Sequence, residues 1–245
     1  MKSRLRKYSE KHIYFIEGDA VSPILEKLFT GLKEFSIIDL GCGDGRILYE
    51  LNRKGMLTNA KRIVGVDVSK ERIERLKVFC PFAEGLVGDV CDLKIPDGSF
   101  DVAISSQVIE HVRDDAKMLR EIRRILKPKG CLYISTVIKK PFGMWVYWNW
   151  NNGFKLDPTH VREYSKVEDF LYLLRNIGFR IIDWKTDPVN YPLMDLLVRL
   201  LIRMNMISPS PDFYLKHKKL RKLRSEMKMR VIGYFTLEVL SQVRK

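Results

Sequence analysis

Three glycines at alternate positions, Gly41, Gly43 and Gly45, follow a short apolar run that carries an acid, Ile37-Ile38-Asp39-Leu40. Glycine reaches backbone angles that other residues resist, and it has no Cβ to fend off a ligand. A glycine-rich turn straight after a strand therefore lets a small molecule lie against the backbone. A second acid, Asp67, closes the next apolar run, Ile63-Val64-Gly65-Val66. An acid about 20 positions beyond a glycine turn suits a ribose diol. A pyrophosphate turn would read Gly-x-Gly-x-x-Gly. Here the third glycine comes one residue early, Arg46 stands in its place, and Asp39 and Asp44 flank the turn. That pattern disfavours a phosphate and suits a nucleoside with a positively charged tail.

Two of the four histidines merit attention, since histidine takes up protons near neutral pH. His111 lies four residues after Gln107, and the two are expected to share one face at the start of a helix. His160 sits in Asp157-Pro158-Thr159-His160-Val161-Arg162-Glu163-Tyr164, where Arg162 and Tyr164 could also hold a polar substrate. His12 and His217 lie in the basic ends. The cysteines, Cys42, Cys80, Cys91 and Cys131, have no metal-ligand spacing. No metal site is expected.

The elements that must position these residues alternate between strand and helix, which predicts a parallel sheet. Strands are expected near 36–40, 62–66, 84–88, 101–106, 130–137, 179–184 and 230–240. Helices are expected near 45–54, 70–79, 107–112, 115–126 and 166–177. The turns after the first four strands then converge on one sheet edge, where open α/β sheets bind ligands.

Beyond the glycine turn, Gly88-Asp89, the strand Ser99–Ser106, Gln107-Val108-Ile109-Glu110-His111-Val112 and the turn Leu126–Ile134 follow in order. With them the chain resembles the class I S-adenosylmethionine-dependent methyltransferases of small-molecule type. The resemblance runs from about residue 35 to 137. It implies a Rossmann-like, doubly wound seven-stranded sheet, mostly parallel with the last strand antiparallel, and helices on both faces. It implies S-adenosylmethionine as cofactor and S-adenosylhomocysteine as product. Carried onto this chain, the cofactor residues are Asp39, Gly41, Cys42, Gly43, Gly45, Asp67, Val68, Asp89, Val90, Ser106 and Gln107. His111 and His160 become the candidates to assist a hydroxyl acceptor, which could belong to a glycan or a lipid-linked molecule.

The 245 residues are long enough for one domain with two insertions. Residues 141–165 are aromatic and follow the fifth strand, as a lid would. Residues 188–229 hold an apolar stretch with a polar stripe of Asp195, Arg199 and Arg203, then the basic run Lys216–Arg224. An apolar helix beside cations suits the surface of an anionic membrane, reached through residues 192–230. The competing expectation is a lid helix packed on the sheet and followed by a solvated basic helix. The net charge of +14 is concentrated at the ends: residues 1–12 carry five Lys/Arg and one Glu, and residues 213–245 carry ten Lys/Arg and two Glu. The nearly neutral middle disfavours a nucleic-acid binder. An RNA methyltransferase using the basic ends and a non-catalytic, cofactor-binding subunit remain rival readings. Free thiols and the lack of an apolar leader point to the cytoplasm, with a peripheral place at the inner face of the membrane.

Overall fold

A computed structural model describes residues 21–145, 147–149, 153–207 and 213–244, with only the backbone of 148, 149 and 203. The basic segment 1–12, His12 and part of the aromatic insertion lie outside the described residues.

The first half alternates as expected. Helix α1 (Pro23–Leu28) precedes β1 (Phe35–Leu40), α2 (Arg46–Arg53), β2 (Ala60–Asp67), α3 (Lys70–Phe79), β3 (Glu84–Val87) and β4 (Phe100–Ser106). Then come α4 (Asp115–Ile125), β5 (Leu126–Lys139) and a short hairpin, β6 (Tyr147–Asn149) with β7 (Gly153–Lys155). The chain continues through α5 (Val167–Ile177), β8 (Phe179–Pro192), α6 (Leu193–Arg203), α7 (Phe213–Lys216), α8 (Lys218–Glu226) and β9 (Lys228–Val243).

Seven strands form one sheet in the order β3-β2-β1-β4-β5-β9-β8. Strand β9 is antiparallel to both neighbours, and the other pairings are parallel. Central strands buried on both faces need near-continuous apolar runs. Ile37, Ile38, Val64, Val66 and the core of β4 meet that need. Helices α4 and α5 cover one face with Met118, Leu119, Ile122, Phe170 and Leu174. Helices α1, α2 and α3 cover the other with Leu25, Leu48, Leu51, Ile73 and Leu76. Caps place the helices: the Ser69 side chain accepts from Arg72 N–H, Asp114 from Lys117 N–H, and Gly178 ends α5 in the left-handed region.

Two expectations are corrected. No α-helix spans 107–112. Gln107 takes a left-handed φ of 57°, and only a 3-10 turn, Ile109–His111, follows. Gln107 and His111 therefore do not share a helix face. The second insertion is also shorter than 188–229, because Asn190–Pro192 pair with Lys228–Arg230 as sheet. Strand β5 makes its last pair between Lys139 and Tyr234. The β8–β9 ladder runs beyond it, so the helical segment α6–α8 projects from the edge that carries the glycine turn.

Candidate functional site

Four turns meet at the carboxyl edge of the sheet. The glycine turn leaves β1 against β2, with the N–H groups of Gly41 and Cys42 both donating to the Val66 carbonyl, at 2.7 and 3.0 Å. Gly41 and Gly45 have φ of 74° and 87°, where a side chain is strained. A Cβ at Gly41 would collide with Val108, and one at Gly45 with Leu76. These two glycines thus serve packing as well as ligand approach, which narrows the sequence reading.

Asp67 is nearly buried and is aimed by backbone. Gly43 N–H donates to its Oδ2 at 3.0 Å, and Ser69 N–H donates to its Oδ1 at 2.9 Å. Val68, half exposed beside it, offers an apolar plate. Asp89 accepts from Cys91 N–H at 3.0 Å, and Val90 is buried behind it. Ser106 Oγ lies 2.9 Å from Ser135 Oγ, to which the Gln107 amide also donates at 3.2 Å. The exposed Gln107 keeps its place at the rim through its own N–H, which donates to Ser135 O.

The two acids beside the glycines separate. Asp44 Oδ1 accepts from Arg75 Nε at 2.8 Å, so its charge is answered within the protein. Asp39 is 2% exposed, and its Oδ2 has no hydrogen-bond partner. Burial, aided by the neighbouring Asp67 charge, pushes its carboxyl up to about 7, with Arg46 opposing. A buried carboxylate oxygen without a donor is costly unless a cation or donor meets it. The donor set therefore fits a ligand that joins a diol to a positive charge.

His111 and His160 come together, with ring centres 4.8 Å apart at a steep angle. His111 Nδ1 lies 2.9 Å from Thr159 Oγ, and the Thr159 hydroxyl in turn donates to Asp157 Oδ1 at 2.5 Å. Thr159 therefore accepts from Nδ1–H of His111, which assigns its bare lone pair to Nε2. His160 Nδ1 lies 2.8 Å from Glu163 Oε1. Burial and the adjacent His160 pull His111 down to about 4, so it is neutral at pH 7. His160 is deeper, at 6% exposure. Arg162 and Tyr164 turn inward as struts instead of meeting a substrate. Arg162 donates to Val112 O at 2.5 Å, and Tyr164 donates to Asp115 at 2.8 Å.

Sequence reasoning missed two participants. Glu110 is fully buried, takes the Thr136 hydroxyl on Oε2 at 3.0 Å, and leaves Oε1 without a partner. Burial pushes it up to about 7, against the opposing pull of His160. A lone acid within Val108-Ile109-Glu110-His111-Val112 was the available signal. With His111 and His160 it presents three ligand atoms within 4.8 Å of one another. Such a set can share a proton or hold a divalent ion, although no metal site was expected. Arg72, from the first turn of α3, reaches Asp67 at 3.8 Å and lies close enough to His111 to lower its pKa. Its place in a polar helix gave no signal.

The aromatic insertion is partly a satellite core. Trp145 packs on Tyr191 with ring centres 5.3 Å apart, in a cluster with Val137, Val231 and Tyr234. Val146 and residues 150–152 lie outside the described residues.

Residues 38–134 match a family model described as a methyltransferase domain. A Mycolicibacterium smegmatis protein named a probable S-adenosylmethionine-dependent methyltransferase is 29% identical over 147 residues, 60% of this chain and 52% of that protein. The chain spans about half the length of the curated relatives it matches. Among solved structures, a SAM-dependent methyltransferase from Methanosarcina mazei aligns at a TM-score of 0.61 and 16% identity, over 91% of this chain and 98% of that one. The [4+2]-cyclase SpnF aligns at a TM-score of 0.57 and 20% identity, over 95% of this chain and 87% of that one. At such identities these two likenesses concern the fold alone.

Proposed function

We propose that this chain, a member of the class I S-adenosylmethionine-dependent methyltransferases, moves the methyl group of S-adenosylmethionine to a hydroxyl of a small molecule. The observation that carries the reading is the buried, unpartnered Oδ2 of Asp39 beneath the glycine turn, on the same sheet edge as the His111–His160 pair. Asp39 would answer the cofactor's positive charge. Asp67, fixed by the Gly43 and Ser69 N–H groups, would take the ribose diol. Val68, Asp89 and Val90 would border the base, and Ser106 and Gln107 would form the rim toward the acceptor. When bound, the cofactor supplies a methyl group on a sulfonium centre that is already activated for displacement.

What remains for the protein is alignment, exclusion of water and management of one proton. His111 suits the last task. Its low pKa keeps the ring neutral, its Nδ1–H is anchored on Thr159, and its Nε2 is left to accept from a hydroxyl. His160 stands behind it, held by Glu163, as a positioning residue. The aromatic insertion follows β5 on this edge, and a glycan or lipid-linked alcohol suits its aromatic composition. The acceptor enters as substrate, and nucleic acid is the weaker alternative because the middle of the chain is nearly neutral.

The test is incubation with methyl-labelled cofactor and fractionated cell extract, beside calorimetry with S-adenosylhomocysteine. Label in an alkali-stable, low-molecular-weight or lipid fraction is expected. Binding without label in any fraction would leave a cofactor-binding subunit, and label in RNA would favour the rival enzyme. Absence of binding would remove the whole reading.

A further inference from the structure

Helix α3 carries Arg72 and Arg75 three residues apart, so the two leave one face of it. They end differently. Arg75 makes a close bond, its Nε donating to Asp44 Oδ1 at 2.8 Å. Arg72 reaches over the glycine turn. Its Nη1 lies 3.8 Å from Asp67 Oδ2 and 3.7 Å from where a Cβ on Gly43 would sit. A separation of 3.8 Å makes an ion pair but is too long for a hydrogen bond. The side chain is only 12% exposed, so its guanidinium is held in the cofactor cleft instead of in water.

What stands beside that guanidinium is a carboxylate with capacity to spare. Asp67 accepts one backbone N–H on each oxygen, from Gly43 on Oδ2 and from Ser69 on Oδ1. Each carboxylate oxygen has a second lone pair. A vicinal diol fills these by donating its two hydroxyl hydrogens. The oxygens of the diol then need donors of their own, and an ionised carboxylate has none. A guanidinium presents five N–H groups in a fixed fork and accepts nothing. An acid and an arginine side by side therefore satisfy both halves of a hydroxyl: one takes its proton, and the other its lone pair. The opposite end of the turn has a different cation, because Arg46 is the group that opposes the Asp39 charge. Arg72 belongs to the diol end.

We propose that Arg72 is a cofactor-binding residue, donating to a ribose hydroxyl that Asp67 holds, and that the pair selects a ribonucleoside over its deoxy counterparts. The inference rests on Asp67 being the ribose acid. A site built to bond a hydroxyl rejects an analogue without it, because its buried polar groups are then left unsatisfied.

Calorimetry with S-adenosylhomocysteine and its 2′-deoxy and 3′-deoxy analogues, on the native chain, R72Q, R72K and D67N, tests it. The native chain should favour the ribonucleoside over at least one analogue by about tenfold or more. R72Q should weaken S-adenosylhomocysteine by about 10- to 100-fold and leave the affinity for that analogue nearly unchanged, since the contact is already gone. R72K keeps the charge without the fork and is read the same way should R72Q not fold: it should lose a smaller factor, again only toward ligands that carry the hydroxyl. Equal losses for all three ligands would mean that Arg72 only braces Asp67, and would overturn the proposal. So would native affinity in R72Q when D67N binds weakly. Native affinity in D67N would instead remove the ribose role of Asp67, and the Arg72 contact with it.

Discussion

Replacing Asp39 with Asn should make the free protein more stable and a poorer binder of its cofactor. The reason is a buried charge without a partner. The Asp39 carboxyl is raised from 3.8 to about 7, so its favourable contribution to folding is complete below about pH 4 and is lost as pH rises through 7. Three units correspond to about 4 kcal/mol at pH 8. Asn removes that penalty but brings an amide whose own hydrogens need partners, at a cost of about 1–3 kcal/mol. The net gain is about 1–3 kcal/mol, or about 2–12 °C in a domain of this size. Binding should move the other way. Losing a charged contact costs about 1.5–3 kcal/mol, so S-adenosylmethionine should bind about 10- to 150-fold more weakly. For the native protein, affinity should fall below pH 7, where Asp39 must first give up its proton, and D39N should flatten that slope. Thermal melts at pH 6 and 8 and calorimetry over the same range measure all of this. A D39N protein that melts lower at pH 8 and binds with native affinity would refute the reasoning.

Four other outcomes follow from the same geometry. His111→Ala should lower kcat by about 100-fold or more while leaving S-adenosylhomocysteine affinity nearly unchanged; a parallel loss of affinity would mean the ring only supports the pocket. Gly41→Ala should destabilise the fold by about 1–3 kcal/mol, because φ is 74° and Val108 fills the space, and urea unfolding would read it. Arg224→Leu should cost about 3–5 kcal/mol locally by stranding Asp195, seen as faster amide exchange in α6 and α8 with the sheet unaffected. Chelator treatment should leave turnover unchanged if Glu110, His111 and His160 share only a proton; activity lost to chelation and restored by a divalent ion would show that the cluster holds a metal.

The sequence by itself determined the sheet and the cofactor edge. Apolar runs ending in Asp39, Asp67 and Ser106 mark strands whether or not their neighbours are known, because burial on both faces demands continuous hydrophobicity. Glycines at alternate positions then mark the turn, since few other residues accept its angles. The tertiary structure decided everything that depends on who stands opposite. Asp39 and Asp44 look alike in the chain, yet Arg75, reaching from α3, bonds Asp44, while no hydrogen bond reaches Oδ2 of Asp39. His111 and His160 are 49 positions apart, and only the fold makes them a pair with Glu110 beneath. The stripe of Asp195 and Arg199 does not show in the chain which way it faces; Arg224 and Tyr191 draw it inward and turn Leu196, Leu197 and Leu200 out. Local propensity and period are properties of a segment, whereas pairing of charges and the choice of buried face are properties of contacts between segments.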